Sequence, residues 1–408
     1  AARELDVTKV LVGRDTRESG KQLETALANG LLAGGVSVEL LGVAPTPAIA
    51  FLAAKRGCAS AAITASHNPY LDNGVKLFAN GGVKLSDAQQ DAIESHMTGS
   101  ATVPAASALQ VDLLGEYASH IVGLFPVLAF ANIRVVLDCA NGAMSDVAPE
   151  VFARLGATVI VLNDRPNGKN INEVCGATHP EVVSEAVRLH KADLGLAFDG
   201  DGDRVIAVDH IGDVVDGDHL IALAAIDLHK RGKLKSNSVA VTVMTNAGFH
   251  QAMTKAGINV ITTPVGDRNI LVAFDEHGVV LGGEQSGHII YRDYATTGDG
   301  LLAGAMLVDL VRREAKPLAT LARNAMTSLP QTLINIRVAQ VVNSPAEDLA
   351  AEITDATKRL DGIGRVLLRA SGTEPVVRVM VEAASQETAD AVAQGLAEVV
   401  SQRFGGVR

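Results

Sequence analysis

Hydrophobic residues along the chain fall into short apolar runs that alternate with segments in which Leu, Ala and Val recur at helical spacing. The order strand, amphipathic helix, strand is repeated over residues 9–42, 133–163 and 238–264. Each repeat has the roughly 30-residue length of a βαβ unit, and its continuous apolar strands are typical of strands covered by helices. The pattern therefore predicts an α/β protein with three related domains built on mixed sheets.

The chain from residue 331 onward has a different pattern. Residues 331–339 alternate, residues 365–385 read as two strands around a Gly-Pro loop, and residues 386–404 form a helical stretch. These features predict a small C-terminal α+β domain, whereas residues 96–111 show little pattern and are predicted to be a surface loop or linker. The predicted domains are 1–130, 131–235, 236–330 and 331–408.

Composition narrows the class of protein. Hydrophobic residues make up 48% of the 408 residues and charged residues 20%, as in soluble globular proteins of several domains. A net charge of −11, only 3% aromatic residues and no Trp argue against a nucleic-acid partner. The apolar run at 121–131 is interrupted by Pro126 and is too short for a membrane span.

The cysteines and the amino terminus indicate a cellular location. Cys58, Cys139 and Cys175 are odd in number and widely spaced, which favours a reducing compartment over a disulfide framework. No signal peptide precedes the first residues, AARELDVTKV. We therefore expect a cytoplasmic protein without a membrane partner.

The segment DLGLAFDGDGDRVIAVD, residues 193–209, carries the strongest local signal. Asp199, Asp201 and Asp203 alternate with glycines between two apolar runs. Three adjacent carboxylates repel one another unless a cation lies among them, and oxygen ligands favour Mg²⁺ or Ca²⁺. An EF-hand loop is excluded because Arg204 stands where that motif needs glycine; a solvated acidic turn is the alternative.

Ser66 lies in AITASHNPYLDNGVK, residues 62–76, where an apolar strand ends. A serine at such a place is often only a turn residue. Because Mg²⁺ commonly binds phosphate oxygens as well as carboxylates, a phosphorylated Ser66 would complete a magnesium site. His67 and Lys76 would add positive charge or move protons, although each alone is more often a surface or turn residue.

Two further loops carry polar side chains. GGEQSGHII, residues 282–290, places Glu284, Gln285, Ser286 and His288 in a glycine turn suited to sugar hydroxyls, or simply in a polar hairpin turn. RASGTEPVVR, residues 369–378, surrounds a glycine turn with basic and hydroxyl side chains. It is predicted to be a phosphate cradle, with a flexible basic loop as the alternative.

The four motifs TASHNP, DGDGDR, GEQSGH and RASGTEPVVRVMVE, in this order, closely resemble the α-D-phosphohexomutase superfamily over nearly the whole chain. NINEVCGATHPE (170–181), TTGDG (296–300) and the glutamine of GEQSGH are most similar to the bacterial phosphoglucosamine mutases. Members of the superfamily normally open with a strand and a GTDGIRG-type loop, whose arginine approaches the reacting phosphate. This sequence begins beyond that loop.

The resemblance implies four domains around a central cleft, each contributing one loop. Ser66 would be the catalytic phosphoserine, with His67, Lys76 and Arg204 beside it; Ser66, Asp199, Asp201 and Asp203 would hold one Mg²⁺. The residues implied in substrate binding are Asp267, Arg268, Glu284, Ser286, His288, Arg369, Ser371, Gly372, Thr373 and Arg378.

The implied reaction interconverts glucosamine 6-phosphate and glucosamine 1-phosphate through a sugar 1,6-bisphosphate, a cytosolic step toward UDP-N-acetylglucosamine and cell-wall polymers. The alternatives are a phosphomannomutase or phosphoglucomutase with the same machinery, an inactive sugar-phosphate-binding regulator, and a serine-dependent phosphatase. The expected partner is a small phosphosugar, with no nucleic acid and no membrane; a homodimer is left open.

Overall fold

The computed structural model describes Glu4 and residues 7–97, 108–370 and 375–406. The chain forms two compact units. The first comprises Ala1–Thr245 and Lys255–Ala325, and the second Asn246–Thr254 and Met326–Arg408. Each unit is described by itself below.

The first sheet of the larger unit has the strand order β5-β4-β3-β1-β2-β6. Strands β1, β2, β3 and β6 are parallel, and β4 and β5 continue the sheet in antiparallel fashion. Leu11, Ile49 and Leu52 are fully buried in its core. The elements are β1 (Lys9–Arg14), α1 (Gly20–Ala33), β2 (Ser37–Val43), α2 (Thr46–Arg56), β3 (Ala59–Ile63), β4 (Val75–Ala79), β5 (Val83–Lys84), α3 (Asp87–Ser95), β6 (Leu109–Gln110) and α4 (Leu114–Gly123).

The predicted linker at 96–111 is wrong at its end. Leu109 and Gln110 form β6 because they pair in parallel with Glu39 and Leu40 of β2. Residues 98–107 of that prediction lie outside the described residues.

The second sheet has the order β11-β10-β9-β7-β8, with β7 parallel to β8 and β9, and β10 and β11 antiparallel. Every residue of β9 and β10 is buried, as their continuous apolar sequences predict. The elements are β7 (Arg134–Asp138), α5 (Val147–Arg154), β8 (Thr158–Leu162), a 3₁₀ turn (Gly176–Thr178), α6 (Pro180–His190), β9 (Leu194–Phe198), β10 (Val205–Asp209) and β11 (Val214–Val215).

The third sheet has the order β13-β12-β14-β15, in which only the last pair is antiparallel. All three βαβ repeats predicted from the sequence are thus confirmed. The elements are α7 (Gly217–Lys230), a 3₁₀ turn (Lys235–Asn237), β12 (Ser238–Thr242), α8 (Ala247–Ala256), β13 (Asn259–Thr263), α9 (Asp267–His277), β14 (Leu281–Gly283), β15 (Ile289–Tyr291), α10 (Gly300–Glu314) and α11 (Leu318–Ala325).

The fourth sheet belongs to the smaller unit and is antiparallel, in the order β16-β18-β17. Val379 and Val381 of β18 share a core with Leu396 of the last helix, which confirms the predicted C-terminal α+β fold. The elements are β16 (Gln331–Arg337), α12 (Pro345–Asp348), α13 (Ala350–Lys358), β17 (Gly364–Ala370), β18 (Val376–Ala383) and α14 (Gln386–Phe404). The domain boundaries near 130, 235 and 330 stay predictions.

Among the described residues, no helix is long and apolar enough to cross a membrane.

Candidate active site

Ser66 lies just beyond the carboxyl end of β3, and only 7% of its surface is exposed. Its backbone has a φ of 53°, in the left-handed region that few residues with a side chain adopt. The Ser66 N–H donates to Thr64 Oγ1 at 2.8 Å, and Ser66 Oγ donates to Asp199 Oδ2 at 2.6 Å. The serine is therefore a buried residue aimed at the aspartate loop rather than an exposed turn residue.

Asp199, Asp201 and Asp203 occupy the loop between β9 and β10, and all three are buried. One carboxylate oxygen from each lies within 4.8 Å of the others. Asp201 Oδ1 and Asp203 Oδ1 have no hydrogen-bond partner among the described residues. Buried carboxylate oxygens without partners, grouped in this way, suit a small divalent cation, so the donor set fits the predicted metal.

Glycines allow this loop to turn. Gly202 has a φ of 73°, and a Cβ placed there would lie 2.4 Å from the Cε of Met144. A Cβ at Gly200 would lie 2.7 Å from the Ser66 carbonyl oxygen. Glycine at both positions therefore lets the carboxylates converge. It also lets the serine loop, residues 66–72, approach the aspartates.

Lys76, on β4, places its ammonium between two of the carboxylates. Its Nζ lies 2.7 Å from Asp201 Oδ2 and 2.9 Å from Asp203 Oδ2. Burial lowers the pKa of Lys76, but the charges of Asp201 and Asp203 outweigh burial and raise that pKa above its ordinary value. Lys76 is therefore a permanently charged part of the cluster.

The cluster also separates the pKa values of two aspartates. Burial, reinforced by Asp203 and Asp201, raises the pKa of Asp199 well above its ordinary value. Burial acts on Asp203 as well, but the charges of Lys76 and His288 outweigh it and hold the pKa of Asp203 well below its ordinary value. Asp203 thus carries its negative charge more firmly than Asp199 does.

His67 and Arg204 contact each other directly, with Arg204 Nη1 donating to His67 Nδ1 at 3.0 Å. Burial, followed by the charge of Arg204, lowers the pKa of His67. His67 is consequently neutral near pH 7, with Nδ1 as the acceptor. The backbone N–H of Arg204 also donates to Asp199 Oδ1 at 3.1 Å.

The GEQSGH segment is the tight turn between β14 and β15. It packs on the loop between β9 and β10 that carries the three aspartates, called the metal loop below. Val205 N, at the end of that loop, donates to Gly287 O at 3.1 Å. Glu284 and Gln285 are half-buried, and Ser286 is exposed at the turn. The predicted sugar loop is thus both a hairpin turn and a neighbour of the aspartates.

His288 differs from the rest of that loop because it is buried between two acids. Its Nδ1 lies 3.6 Å from Asp203 Oδ1, and its Nε2 lies 3.6 Å from Asp267 Oδ2. Burial lowers the pKa of His288, but Asp203 and Asp267 together raise it. His288 therefore links the metal loop to the start of α9.

Asp267 and Arg268, at the start of α9, are ion-paired with the first domain. Asp267 bonds to Lys84 of β5, and Arg268 pairs with Asp87 and donates from Nη2 to Gln90 Oε1 at 2.8 Å. A cavity of about 680 Å³ opens beside them. Lys76, Asp203, Asp267 and Arg268 line its polar side, and Leu77, Phe78, Leu85 and Ile93 its apolar side.

Arg369 and Arg378 belong to the smaller unit. They are direct cross-strand partners on β17 and β18. The buried Nε of Arg378 has no hydrogen-bond partner among the described residues. Ser371, Gly372 and Thr373 of the predicted phosphate cradle lie outside the described residues.

Three residues that were not predicted from the sequence contact the loops of Ser66 and of the aspartates. Thr46, at the start of α2, donates from Oγ1 to Asp201 Oδ2 at 2.7 Å. Arg17 donates to backbone carbonyls of the serine loop, and so does Asn172. Arg17 follows β1, and β1 runs parallel to β3. Its position after a predicted strand could therefore have placed it at the same sheet edge as Ser66.

Comparison with protein-family models gives matches for phosphoglucomutase/phosphomannomutase. Its alpha/beta/alpha domains I, II and III match residues 2–103, 115–212 and 216–329, and its C-terminal domain matches residues 333–399.

Individual proteins also match nearly the whole chain. The chain is 49% identical to a phosphoglucosamine mutase of Frankia casuarinae over 402 residues, covering 96% of this chain and 87% of the relative. It is 46% identical to one of Desulforudis audaxviator, covering 96% and 89%. A phosphoglucomutase/phosphomannomutase family protein of Burkholderia thailandensis has a similar solved structure, with a TM-score of 0.81 at 26% identity, covering 98% and 92%.

Proposed function

Because the chain belongs to the phosphoglucomutase/phosphomannomutase family, we propose that it is a phosphoglucosamine mutase, an isomerase that interconverts glucosamine 6-phosphate and glucosamine 1-phosphate. The observation that carries the reaction is the buried Ser66 hydroxyl, 2.6 Å from Asp199 in the aspartate cluster. The choice of substrate is supported by curated phosphoglucosamine mutases at 44–49% identity. The reaction belongs to amino-sugar metabolism in the cytoplasm, as a step toward UDP-N-acetylglucosamine.

Ser66 carries the phosphoryl group in the proposed reaction. The free sugar hydroxyl attacks phosphorus and loses its proton, the bond between phosphorus and Ser66 Oγ breaks, and Ser66 Oγ takes up a proton. The product is a sugar 1,6-bisphosphate and a free serine. After the bisphosphate reorients, Ser66 Oγ loses its proton and attacks the other phosphorus, the bond between that phosphorus and the sugar oxygen breaks, and the sugar oxygen takes up a proton. The phosphate on the sugar has then moved between O6 and O1, and the phosphoserine is regenerated.

One Mg²⁺ would be held by Asp199, Asp201 and Asp203 together with an oxygen of phosphorylated Ser66. Asp201 Oδ1 and Asp203 Oδ1, which accept no hydrogen bond among the described residues, support this assignment. When bound, the ion withdraws negative charge from the phosphoryl group that is transferred.

Two cations of the chain stabilise the same charge. Lys76 keeps its proton because two carboxylates contact it, so we assign it an electrostatic role rather than that of a base. Arg204 holds His67 through Nδ1, which leaves His67 Nε2 available toward the reacting groups. His67 would therefore position or exchange a proton at that atom.

The remaining residues bind the substrate. Glu284 and Ser286 would bind sugar hydroxyls, and His288, Asp267 and Arg268 would shape the polar side of the cavity. Arg369, Ser371, Gly372, Thr373 and Arg378 would bind the phosphate that is not reacting. The cross-strand positions of Arg369 and Arg378 support that role, since two neighbouring guanidinium groups offer charge-assisted hydrogen bonds to a phosphate.

The test of this proposal compares three substrates with one enzyme batch. Glucosamine 1-phosphate should exceed glucose and mannose 1-phosphates by roughly 10- to 100-fold in kcat/KM, the effect of one charge-assisted contact to the 2-amino group. Mass spectrometry should find phosphate on the peptide that contains Ser66. Equal or better use of mannose 1-phosphate would assign a phosphomannomutase instead, and release of free phosphate without isomerisation would assign a phosphatase.

A further inference from the structure

The backbone of the serine loop, residues 66–72, needs an external support. Ser66 is a non-glycine residue at a φ of 53°, a conformation that costs energy and persists where neighbouring groups enforce it. We infer that Arg17 and Asn172 are positioning residues that clamp the carbonyls of this loop and thereby aim the Ser66 hydroxyl. The inference rests on the proposed role of Ser66 as phosphoryl carrier.

Arg17 uses every donor of its guanidinium in this clamp. Its Nε donates to Asp15 Oδ2 at 2.9 Å, while Nη2 donates to Ser66 O at 3.0 Å and Asn68 O at 2.8 Å. Nη1 donates to Asp72 O at 2.9 Å and also to the Pro69 carbonyl. Five N–H groups therefore meet five acceptors, four of which are carbonyls of one short loop.

Burial and charge indicate that the role of Arg17 is geometric. The residue is only 1% exposed, and the adjacent Asp15 is equally buried and balances its charge. Within the described part of the chain, Arg17 forms no hydrogen bond or ion pair with Asp199, Asp201 or Asp203. A neutral, fully bonded guanidinium–carboxylate pair fixes the positions of its acceptors rather than attracting a substrate.

Asn172 supports the same carbonyl from another domain. Its Nδ2 lies 2.9 Å from Ser66 O and 3.1 Å from Asn68 O. Its own backbone is left-handed, with a φ of 56°, and its N–H donates to Ala140 O at 3.0 Å. The Ser66 carbonyl thus accepts from two side chains of different domains.

Gly200 completes the enclosure of that carbonyl, since a Cβ there would lie 2.7 Å from Ser66 O. The neighbouring Asp199 accepts the Ser66 hydroxyl at 2.6 Å. The carbonyl end of Ser66 is therefore clamped, and the hydroxyl end faces the metal loop. A loosened clamp would misdirect the hydroxyl without removing any group that contacts substrate.

The variants Asn172→Gly and Arg17→Lys test the clamp. Glycine preserves the left-handed backbone at 172 and removes only the amide, and lysine keeps the charge but cannot reach four carbonyls. For Asn172→Gly we expect kcat, measured per folded and phosphorylated enzyme, to fall about tenfold, which is the effect of one lost hydrogen bond. For Arg17→Lys we expect about a hundredfold, the effect of displacing a reacting group by about 1 Å. KM should stay within about twofold in both.

Matched controls lie elsewhere in the larger unit. Asn237 is also left-handed, with a φ of 45°, and its Nδ2 donates to a carbonyl, Gly257 O, at 2.6 Å. Arg313 binds Asp227 and Asp309 through Nε and both Nη atoms. Asn237→Gly and Arg313→Lys should therefore keep wild-type kcat.

Chemical rescue distinguishes a clamp from a merely structural residue. Guanidinium chloride below denaturing concentrations should raise the kcat of Arg17→Ala and leave that of Asn172→Gly unchanged. If Arg17→Ala does not fold, the kcat and KM of Asn172→Gly decide the question.

Ser66→Ala, assayed in parallel, separates this inference from the proposed function. An active Ser66→Ala enzyme would contradict the proposed role of Ser66 as phosphoryl carrier. An inactive Ser66→Ala enzyme, together with wild-type kcat in Asn172→Gly and Arg17→Lys, would overturn the clamp alone. A rise in KM with unchanged kcat would also overturn it, because the clamp would then act on binding.

Discussion

At the scale of single residues, chemistry and backbone geometry meet at Ser66. The motif around it indicated the chemistry, because a serine near three carboxylates suggests phosphate and metal. Its left-handed backbone was not predictable, since serine has no preference for that conformation and the supporting Arg17 lies 49 residues away. The bridging position of Lys76 was likewise set by strand pairing rather than by sequence spacing.

Replacing Ser66 by alanine removes the proposed phosphoryl acceptor. We expect turnover to fall to the assay background, while the free energy of unfolding changes by about 1–3 kcal/mol through loss of the bond to Asp199. Ser60→Ala is the control, since Ser60 is buried in β3 and its hydroxyl has no hydrogen-bond partner among the described residues. Ser66→Ala turnover within tenfold of wild type would contradict the assignment.

Replacing Arg378 by alanine tests the predicted phosphate cradle. Loss of a charge-assisted contact costs about 1.5–3 kcal/mol, so kcat/KM should fall by roughly 10- to 100-fold, mainly through KM. Arg337→Ala in the same sheet is the control, because Arg337 is exposed and pairs with Val376. Steady-state kinetics with glucosamine 6-phosphate and glucosamine 1-phosphate measure the change. Unchanged kcat and KM for Arg378→Ala would exclude the loop at residues 369–378 from the site.

At the scale of elements, the sequence predicted most of what was long and periodic. The three βαβ repeats and the last helix appear where expected, because apolar strands and amphipathic helices have clear periods. The two-residue strand β6 was missed, since two residues cannot show a period and pairing with β2 alone defines them. The loops after β3 and β9 were predictable as sites because polar residues there directly follow buried strands.

The turn between β14 and β15 depends on Gly287, whose φ is 88°. A Cβ at this position would lie 2.2 Å from Val205 O, so Gly287→Ala must displace the hairpin from β10. We expect it to lower the free energy of unfolding by about 2–4 kcal/mol and to reduce activity. Urea denaturation measures the first effect and the mutase assay the second.

Gly30→Ala is the matched control for that substitution. Gly30 lies within α1, and a Cβ there would meet nothing within 4 Å. Alanine should therefore raise the free energy of unfolding by about 0.5–1 kcal/mol. Equal effects of the two substitutions would show that the close contact at Gly287 is unimportant.

Helix α10 begins at a buried acid with an unusual pKa. Asp299 accepts the N–H of Leu302 at 2.9 Å and the hydroxyl of Tyr117 at 2.8 Å. Burial outweighs these bonds and raises the pKa of Asp299 to about 6. The unfolded chain therefore binds fewer protons than the folded chain between about pH 4 and 6, so this group lowers stability as pH rises through that window.

Asp299→Asn should remove this pH dependence while keeping the helix cap. Relative to wild type, the free energy of unfolding of Asp299→Asn should increase by about 2–3 kcal/mol from pH 4 to pH 7. Urea denaturation of both proteins at several pH values measures the difference. Parallel stability curves would mean that Asp299 titrates normally in the folded state.

At the scale of the whole molecule, folding assembles the candidate site from distant segments. The bonds from Ser66 to Asp199 and from Lys76 to Asp201 span 133 and 125 residues. The metal loop therefore exists only in the folded larger unit. Sequence motifs identified the members of this cluster, but their mutual bonds depend on tertiary packing that no local pattern encodes.

Because the aspartates converge only on folding, Mg²⁺ should bind the native state preferentially. Its addition should raise the melting temperature, by an amount equivalent to about 2.7 kcal/mol at a hundredfold excess over Kd. Excess chelator should abolish turnover reversibly. Asp201→Asn should lose both responses, and full activity in chelator would show that the aspartates are structural.

The left-handed backbone at Ser66 also determines which amino acid can serve there. Threonine has an equivalent hydroxyl and forms equivalent phosphate esters, but its branched Cβ is strongly disfavoured at a φ of 53°. Glycine and asparagine tolerate that conformation but have no hydroxyl. Serine is therefore the residue that combines an alcohol with an unbranched Cβ, and exchange for threonine, ordinarily conservative, is a drastic change at this position.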